Sequence, residues 1–317
     1  MSPARSSGQV RIGISGWRYA GWRGKFYPPK LAQRRELAFA SQAFSTIEIN
    51  GTFYSLQRPD SFQQWFDETP ADFVFSVKGS RFITHMKKLR GIDEALANYF
   101  AQGLLRLGAK LGPILWQFPP NLTYDRERFN AFFDQLPRTT NAAASIAASH
   151  GPRLQGRAWI ETDKNRPLLH CVEVRHESFV DPDFIALLRR QKISLVVADT
   201  VEWPLLLDVT SDFVYCRLHG SQELYSSGYD ARSLDVWAER INGWTEGTQS
   251  VEKEAPAENP ARYASAVRAK QKRRDVYVYF DNDAKVRAPV DARGLRQRVA
   301  KTLGSSRVPG ATEANED

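Results

Sequence analysis

The chain has 317 residues, of which 42% are hydrophobic and 25% charged, with a net charge of +8 and a sequence pI near 9.5. That balance excludes wholesale disorder and favours anionic partners. With two cysteines in the whole chain, a disulfide scaffold is ruled out and a cysteine-built zinc site nearly so. The longest apolar runs fall far short of a membrane span, and residues 1–9 lack the apolar centre of a secretion signal. A cytoplasmic, non-membrane protein, monomeric by default, is the expectation.

In chain order, strands are predicted at 10–15, 46–50, 73–78, 113–118, 170–175, 194–199, 213–219 and 276–280. These runs are apolar throughout or at alternate positions, as strands covered on both faces are. Helices are predicted between and after them at 31–44, 61–68, 92–107, 126–135, 183–191, 233–243, 260–271 and 292–303. The link 200–210 is too short for a crossover helix. Strands alternating with helices give a parallel sheet, and eight such units give a single-domain (β/α)8 TIM barrel over 10–303. Residues 1–9 and 304–317 read as flexible ends and 247–259 as a mobile loop. Residues 141–165 read as an enlarged connection before the fifth strand.

Residues two apart on a strand share a face. With Ile47 and Ile49 against helices, Glu48 and Asn50 point into the barrel. Glu173 and Arg175 follow the same rule, with His176 at the edge. On the sixth strand Leu195, Val197 and Asp199 are read as one inward row. On the seventh Tyr215, Arg217 and His219 point inward, while Val214, Cys216 and Leu218 face the helices. Lys78 and Gln117 end the third and fourth strands; Asp281, Asn282 and Asp283 follow the eighth. Polar groups thus gather at the carboxyl ends of the strands, where barrels place their chemistry. Buried charge is costly unless paired, so such a collection points to a site more than to packing. These residues are expected to converge on one pocket.

Several blocks stand in order along the chain. The first are Ile12-Gly-Ile-Ser-Gly-Trp-Arg-Tyr and Gly21-Trp-Arg-Gly-Lys-Phe-Tyr-Pro. Glu48-Ile-Asn-Gly-Thr-Phe-Tyr, Phe73-Val-Phe-Ser-Val-Lys, Thr84-His and Leu115-Trp-Gln-Phe-Pro-Pro come next. Glu173-Val-Arg-His-Glu-Ser-Phe, Val214-Tyr-Cys-Arg-Leu-His-Gly and Tyr279-Phe-Asp-Asn-Asp complete the set. Together they resemble the YecE-like family, domain of unknown function 72, over about residues 12 to 290. The resemblance implies one TIM barrel and no particular reaction. Gly51, where the family often has Ala or Ser, and the enlarged 141–165 connection depart from its pattern.

Acid–base chemistry is the most direct reading of the residue types. Glu48, Glu173 and Asp199 accept protons, while His176 and His219 shuttle them, so these five are the candidate catalytic residues. Retaining or inverting glycoside hydrolysis would also need two carboxylates. A divalent ion on His219 with Glu48 or Asp199 is the one cofactor these residues allow, and no spacing motif marks it. His85 is read as bonded to a backbone carbonyl. Ser15 lacks the strained elbow of a serine nucleophile, Cys171 and Cys216 read as inert, and no glycine-rich loop announces a nucleotide cofactor.

The candidate binding residues begin in the first loop. There Trp17, Tyr19, Trp22 and Tyr27 interleave with Arg18, Arg23 and Lys25, offering stacking faces and cations. A lid over the core is the competing reading of those tryptophans. Asn50, Tyr54, Lys78, Gln117, Arg175, Arg217, Tyr225, Tyr229 and Asn282 complete the set, with the seventh loop adding hydroxyls around residues 226–228. The expected substrate is anionic, phosphate-bearing and in its sharper form nucleic acid. The expected reaction is hydrolytic or acid–base. The alternative is a non-catalytic module that binds nucleic acid or an anionic metabolite.

Overall fold

The computed structural model describes residues 8–220, 224–225, 227–248, 263–265, 267 and 269–310. Eight parallel strands, β1 Val10–Ser15, β2 Thr46–Ile49, β3 Val74–Lys78, β4 Leu111–Gln117, β5 His170–Glu173, β6 Ser194–Asp199, β7 Phe213–Leu218 and β8 Asp275–Phe280, hydrogen-bond in sequence order into a closed barrel. The helices among the described residues are α1 Glu36–Ala43, α2 Gly51–Tyr54, α3 Pro59–Asp67, α4 Asp93–Ala101, α5 Arg126–Gln135, α6 Thr140–Ala147, α7 Pro182–Gln191, α8 Ala231–Glu246 and α9 Arg287–Leu303. The chain therefore has the (β/α)8 TIM-barrel architecture. The backbone packs as two compact units, Glu48–Phe179 and the remainder, Met1–Ile47 with Val180–Asp317.

In the Met1–Ile47/Val180–Asp317 unit, α8 shows how sequence makes an outer helix. Asp230 caps it by accepting from Ser233 N at 2.7 Å, and Gly247, at φ +75°, ends it. Between the caps Leu234, Trp237, Ala238, Ile241 and Trp244 fall at helical spacing, and all are buried. The strand register fixes which side chains share the barrel interior. Tyr215 pairs with Tyr277 and Arg217 with Tyr279, while Gly13 also pairs with Tyr279. The Tyr215 and Tyr279 rings lie 4.9 Å apart, and the Tyr279 hydroxyl meets Thr46 Oγ1 at 2.7 Å. Gly13 must be glycine, since a Cβ there would stand 1.9 Å from Thr46 O.

The Glu48–Phe179 unit is built around aromatics. Trp116 and His170 share the face opposite Gln117 and Glu173, and Trp116 Nε1 donates to His170 Nδ1 at 3.2 Å. His170 Nε2 then reaches Pro137 O at 2.8 Å, so the buried imidazole is satisfied at both nitrogens.

Several expectations change. Among residues 260–271, read as a helix, the described ones are irregular, and Asp208 receives the backbone N–H groups of Ala264 and Ser265 in place of a helical ladder. Residues 92–107 split into α4 and a 3-10 segment, Leu104–Lys110, because Gly103 turns left-handed at φ +117°. The 141–165 connection holds α6, which Thr139 caps on Ala142 N at 3.2 Å. Residues 200–210 are irregular as expected. At the ends read as loose, Arg307 Nε donates to Gly8 O at 3.0 Å and Val308 is buried. Residues 1–7, 311–317 and most of the loop read at 247–259 lie outside the described residues. No described helix is long and apolar enough to cross a membrane.

Candidate active site

In the Met1–Ile47/Val180–Asp317 unit, β7, β8 and β1 bring a charged group together. Arg217, fully buried, donates through Nη2 to Asp281 Oδ2 at 2.8 Å and to Ser15 Oγ at 3.2 Å. The same Asp281 oxygen lies within ion-pair distance of His219 Nδ1, at 3.1 Å. His219 is itself buried, edge-on to Trp203 at 5.5 Å and to Tyr225 at 5.4 Å between ring centroids. Tyr225 reaches this position through a left-handed backbone, φ +60°, with its N–H on His219 O at 2.6 Å.

A second carboxyl stands beside this group. Burial first, and then the charge of Asp281, push Asp283 from the ordinary carboxylate value up to about 6, against the hydrogen bond from Tyr19 and the charge of Arg217. The first loop holds Asp283 in place, because Trp22 Nε1 donates to its carbonyl at 3.2 Å and the Tyr19 hydroxyl also bonds Ser15 O.

That loop is mostly scaffold. Trp22 is 1% exposed and packs on Tyr19 and Phe26. Tyr27 donates to Trp17 O at 2.5 Å, and burial raises its phenol well above the ordinary value. Arg23 Nε is committed to the fully buried Glu36 at 2.8 Å. Arg18 and Lys25 are exposed.

Three candidates in this unit face elsewhere. Register aligns Asp199 with Leu218 and Ala198 with Arg217, so Val196 and Ala198 form the inward row, the reverse of the expectation. Asp199 instead accepts from Trp237 Nε1 of α8 at 3.0 Å and from Tyr229, and burial raises its pKa. The Tyr229 hydroxyl also accepts from Gly220 N at 3.2 Å. Asn282 Nδ2 donates to Asp291 of α9 at 2.8 Å and to Ser227 O at 3.0 Å. Ser226, offered as a loop hydroxyl, lies outside the described residues.

In the Glu48–Phe179 unit the ends of β3, β4 and β5 carry a second group. Arg175 forks onto one oxygen of the fully buried Glu173, Nε at 2.7 Å and Nη2 at 2.6 Å. Lys78, 7% exposed, holds its ammonium 4.6 Å from the centre of the Phe53 ring, which also meets His85 at 5.0 Å, edge to face. Thr52 fixes α2 against β3 by donating to Lys78 O at 2.6 Å. His85 Nδ1 meets the Thr84 hydroxyl at 2.8 Å, a side-chain partner where a backbone carbonyl was expected. Gln117 aligns with Glu173 and is 5% exposed. Glu48 is fully buried at the end of β2, Asn50 opens α2, and Tyr54 is 68% exposed. His176 is a local cap: its Nδ1 accepts from Ser178 N at 3.1 Å. Among the described residues no three His, Cys, Asp or Glu side chains gather as a metal ion requires.

Residues 11–313 match the family described as "Protein of unknown function DUF72". The chain belongs to the DUF72 family. Among curated DUF72 relatives, UPF0759 protein YunF of Bacillus subtilis is 33% identical over 116 residues, 35% of this chain and 40% of YunF. UPF0759 protein YecE of Escherichia coli K12 is 23% identical over 253 residues, 75% of this chain and 83% of YecE. A crystal structure of a DUF72 protein from Thermotoga maritima superposes with a TM-score of 0.65 at 22% identity, covering 91% of this chain and 98% of that one. One from Enterococcus faecalis gives 0.63 at 14% identity, covering 92% and 95%. At those identities the DUF72 structures speak for the fold alone.

Sequence reasoning named Asp281 and Asp283 as strand-end residues and gave them no role. The signal was Tyr279-Phe-Asp-Asn-Asp, two carboxylates of one parity directly beyond an inward tyrosine.

Proposed function

We propose that this DUF72 chain is an enzyme performing acid–base chemistry, hydrolysis in its sharper form, on an anionic phosphate-bearing substrate. The observation that carries the reading is the sharing of Asp281 Oδ2 by Arg217 and His219, beside an Asp283 carboxyl pushed up to about 6. A carboxyl raised towards neutrality by burial and a neighbouring carboxylate is suited to general-base work near pH 7. Arg217 pairs with Asp281 at 2.8 Å, and the same carboxylate oxygen stands 3.1 Å from His219 Nδ1, the place a carboxylate takes beside a catalytic imidazole. Asp283, ionised at pH 7 with a pKa just below it, is the general base, and His219 carries the proton onward. The net charge of +8 and the exposed Arg18 and Lys25 favour an anion as the partner.

Purified protein is assayed with and without divalent metals against generic phosphodiester, phosphomonoester, glycoside and carboxylic-ester substrates. Turnover of a phosphate substrate is expected, falling roughly 10²–10⁴-fold in Asp283→Asn with folding intact. Binding of an oligonucleotide or phosphorylated metabolite without turnover of any class replaces the enzyme reading with the binding-module one.

A further inference from the structure

We propose that the Glu48–Phe179 unit carries a binding site for a small hydroxylated oxyanion, held by Lys78, Gln117 and Arg175 at the carboxyl ends of β3, β4 and β5. It takes from the anionic-substrate reading only the sign of the ligand's charge, and every residue in it lies outside the Arg217–Asp281–His219 group.

Three observations converge. Lys78 and Arg175 are both held in place, the first against the Phe53 ring and the second by the fork onto Glu173. Their guanidinium and ammonium groups, with Arg81 nearby, act on His85. Burial first, and then Arg175, Lys78 and Arg81 in turn, drive that imidazole down to about 4, with Glu173 alone opposing. His85 is therefore neutral at pH 7 and adds no charge of its own beside the two fixed cations. A fixed, water-poor cation cluster of that kind attracts an oxyanion more strongly than surface lysines do.

The second kind of group narrows the ligand. Gln117 is 5% exposed, lies on the face it shares with Glu173, and its Oε1 is buried with no hydrogen-bond partner among the described residues. A glutamine buried beside charged neighbours with its side-chain oxygen unpartnered is a strong specificity element, since it penalises any ligand lacking the complementary group. An amide both accepts and donates, so a hydroxyl next to the anionic group satisfies it in either orientation. Phosphate and carboxylate share the anionic half of this chemistry. The hydroxyl half excludes bare inorganic anions as the best ligand.

Full-length protein is titrated calorimetrically at pH 7 with inorganic phosphate, glycerol 3-phosphate, acetate, lactate and glycerol. Glycerol 3-phosphate or lactate should bind at least 5-fold more tightly than the bare anion of its class, phosphate or acetate, and glycerol should not bind. Whichever of the two wins identifies the anionic group. Lys78→Met should weaken the winner at least 10-fold. Gln117→Leu should erase the advantage over the bare anion while leaving the bare anion's affinity unchanged. Circular dichroism melts establish that both variants are folded, and Gln117→Glu should abolish binding by charge if Leu disturbs packing. Equal affinity for bare and hydroxylated anions, or affinities indifferent to Lys78→Met and Gln117→Leu, overturns the proposal. Asp281→Asn separates the two readings: it should lose turnover and keep the calorimetric binding.

Discussion

The indole N–H of Trp237 on α8 donates to Asp199 Oδ2 at 3.0 Å, tying the last residue of β6 to an outer helix. The Tyr229 hydroxyl bonds the same carboxylate. Asp199 is therefore a clamp between layers. Asp199→Ala should lower stability by about 1–3 kcal/mol, because it leaves a buried N–H and hydroxyl without an acceptor. Asp199→Asn, which keeps an acceptor and sheds a desolvated charge, should cost less. Denaturant melts compare the two. An Asp199→Ala protein as stable as the wild type but inactive would return Asp199 to the catalytic group.

Arg23 and Glu36 give a test of the first loop. Glu36 is fully buried, and its Oε1 takes the Arg23 Nε–H at 2.8 Å. Arg23→Ala strands a buried carboxylate and should cost about 1–3 kcal/mol. Arg23→Ala combined with Glu36→Gln should recover part of that loss. Arg18→Ala and Lys25→Ala, at exposed positions, should leave stability within about 0.5 kcal/mol and weaken binding of an anionic ligand at low salt only.

Two buried groups set opposite pH dependences. Burial lowers His170 from 6.5 to about 4, so the unfolded chain takes up a proton first. Stability from this group is complete above pH 6.5 and is lost, by about 3 kcal/mol at most, as pH falls towards 4. Burial and Asp281 raise Asp283 from 3.8 to about 6, so here the unfolded chain releases its proton first. Its contribution is complete below about 3.8 and is lost as pH rises through 6. His170→Gln should flatten the rise of Tm with pH between 4 and 6, and Asp283→Asn should steepen it. Thermal melts across that range suffice. Unchanged slopes in both variants would refute the assignment of these two groups.

Gly79 sits immediately after β3, where an added Cβ would lie 2.3 Å from the Trp116 ring. Gly79→Ala should destabilise by about 1–3 kcal/mol through overpacking. Trp116→Phe in the same chain should relieve part of it. Additive losses in the double variant would show that the two sites do not touch.

The strands were legible because each is a short apolar run bounded by polar or turn residues, and the barrel followed from their alternation with helices. The orientation of β6 was not. Ser194-Leu-Val-Val-Ala-Asp is apolar on both faces, so alternation carries no information, and only its register against β7 turns Asp199 outward. Arg217 and His219 were readable because Cys216 and Leu218 between and beside them are unambiguous. The α6 helix has its signal in Thr139 followed by an alanine-rich run, inside what reads as an enlarged connection. The π turn Phe82–Met86, which places His85 against Phe53, leaves no mark in sequence. The helix read at 260–271 has acceptable periodicity, yet Asp208 takes the backbone N–H groups of Ala264 and Ser265 locally.

The edge-on contact of Trp203 with His219, 5.5 Å between rings, gives the molecule an optical reporter of its own. Indole emission is sensitive to a ring packed against it, so the brightness of Trp203 follows what happens around His219. The chain has eight tryptophans, and the useful quantity is the difference between wild type and Trp203→Phe. Followed while a substrate is added, that difference registers the ligand's arrival beside the imidazole, with no label attached and no product to detect.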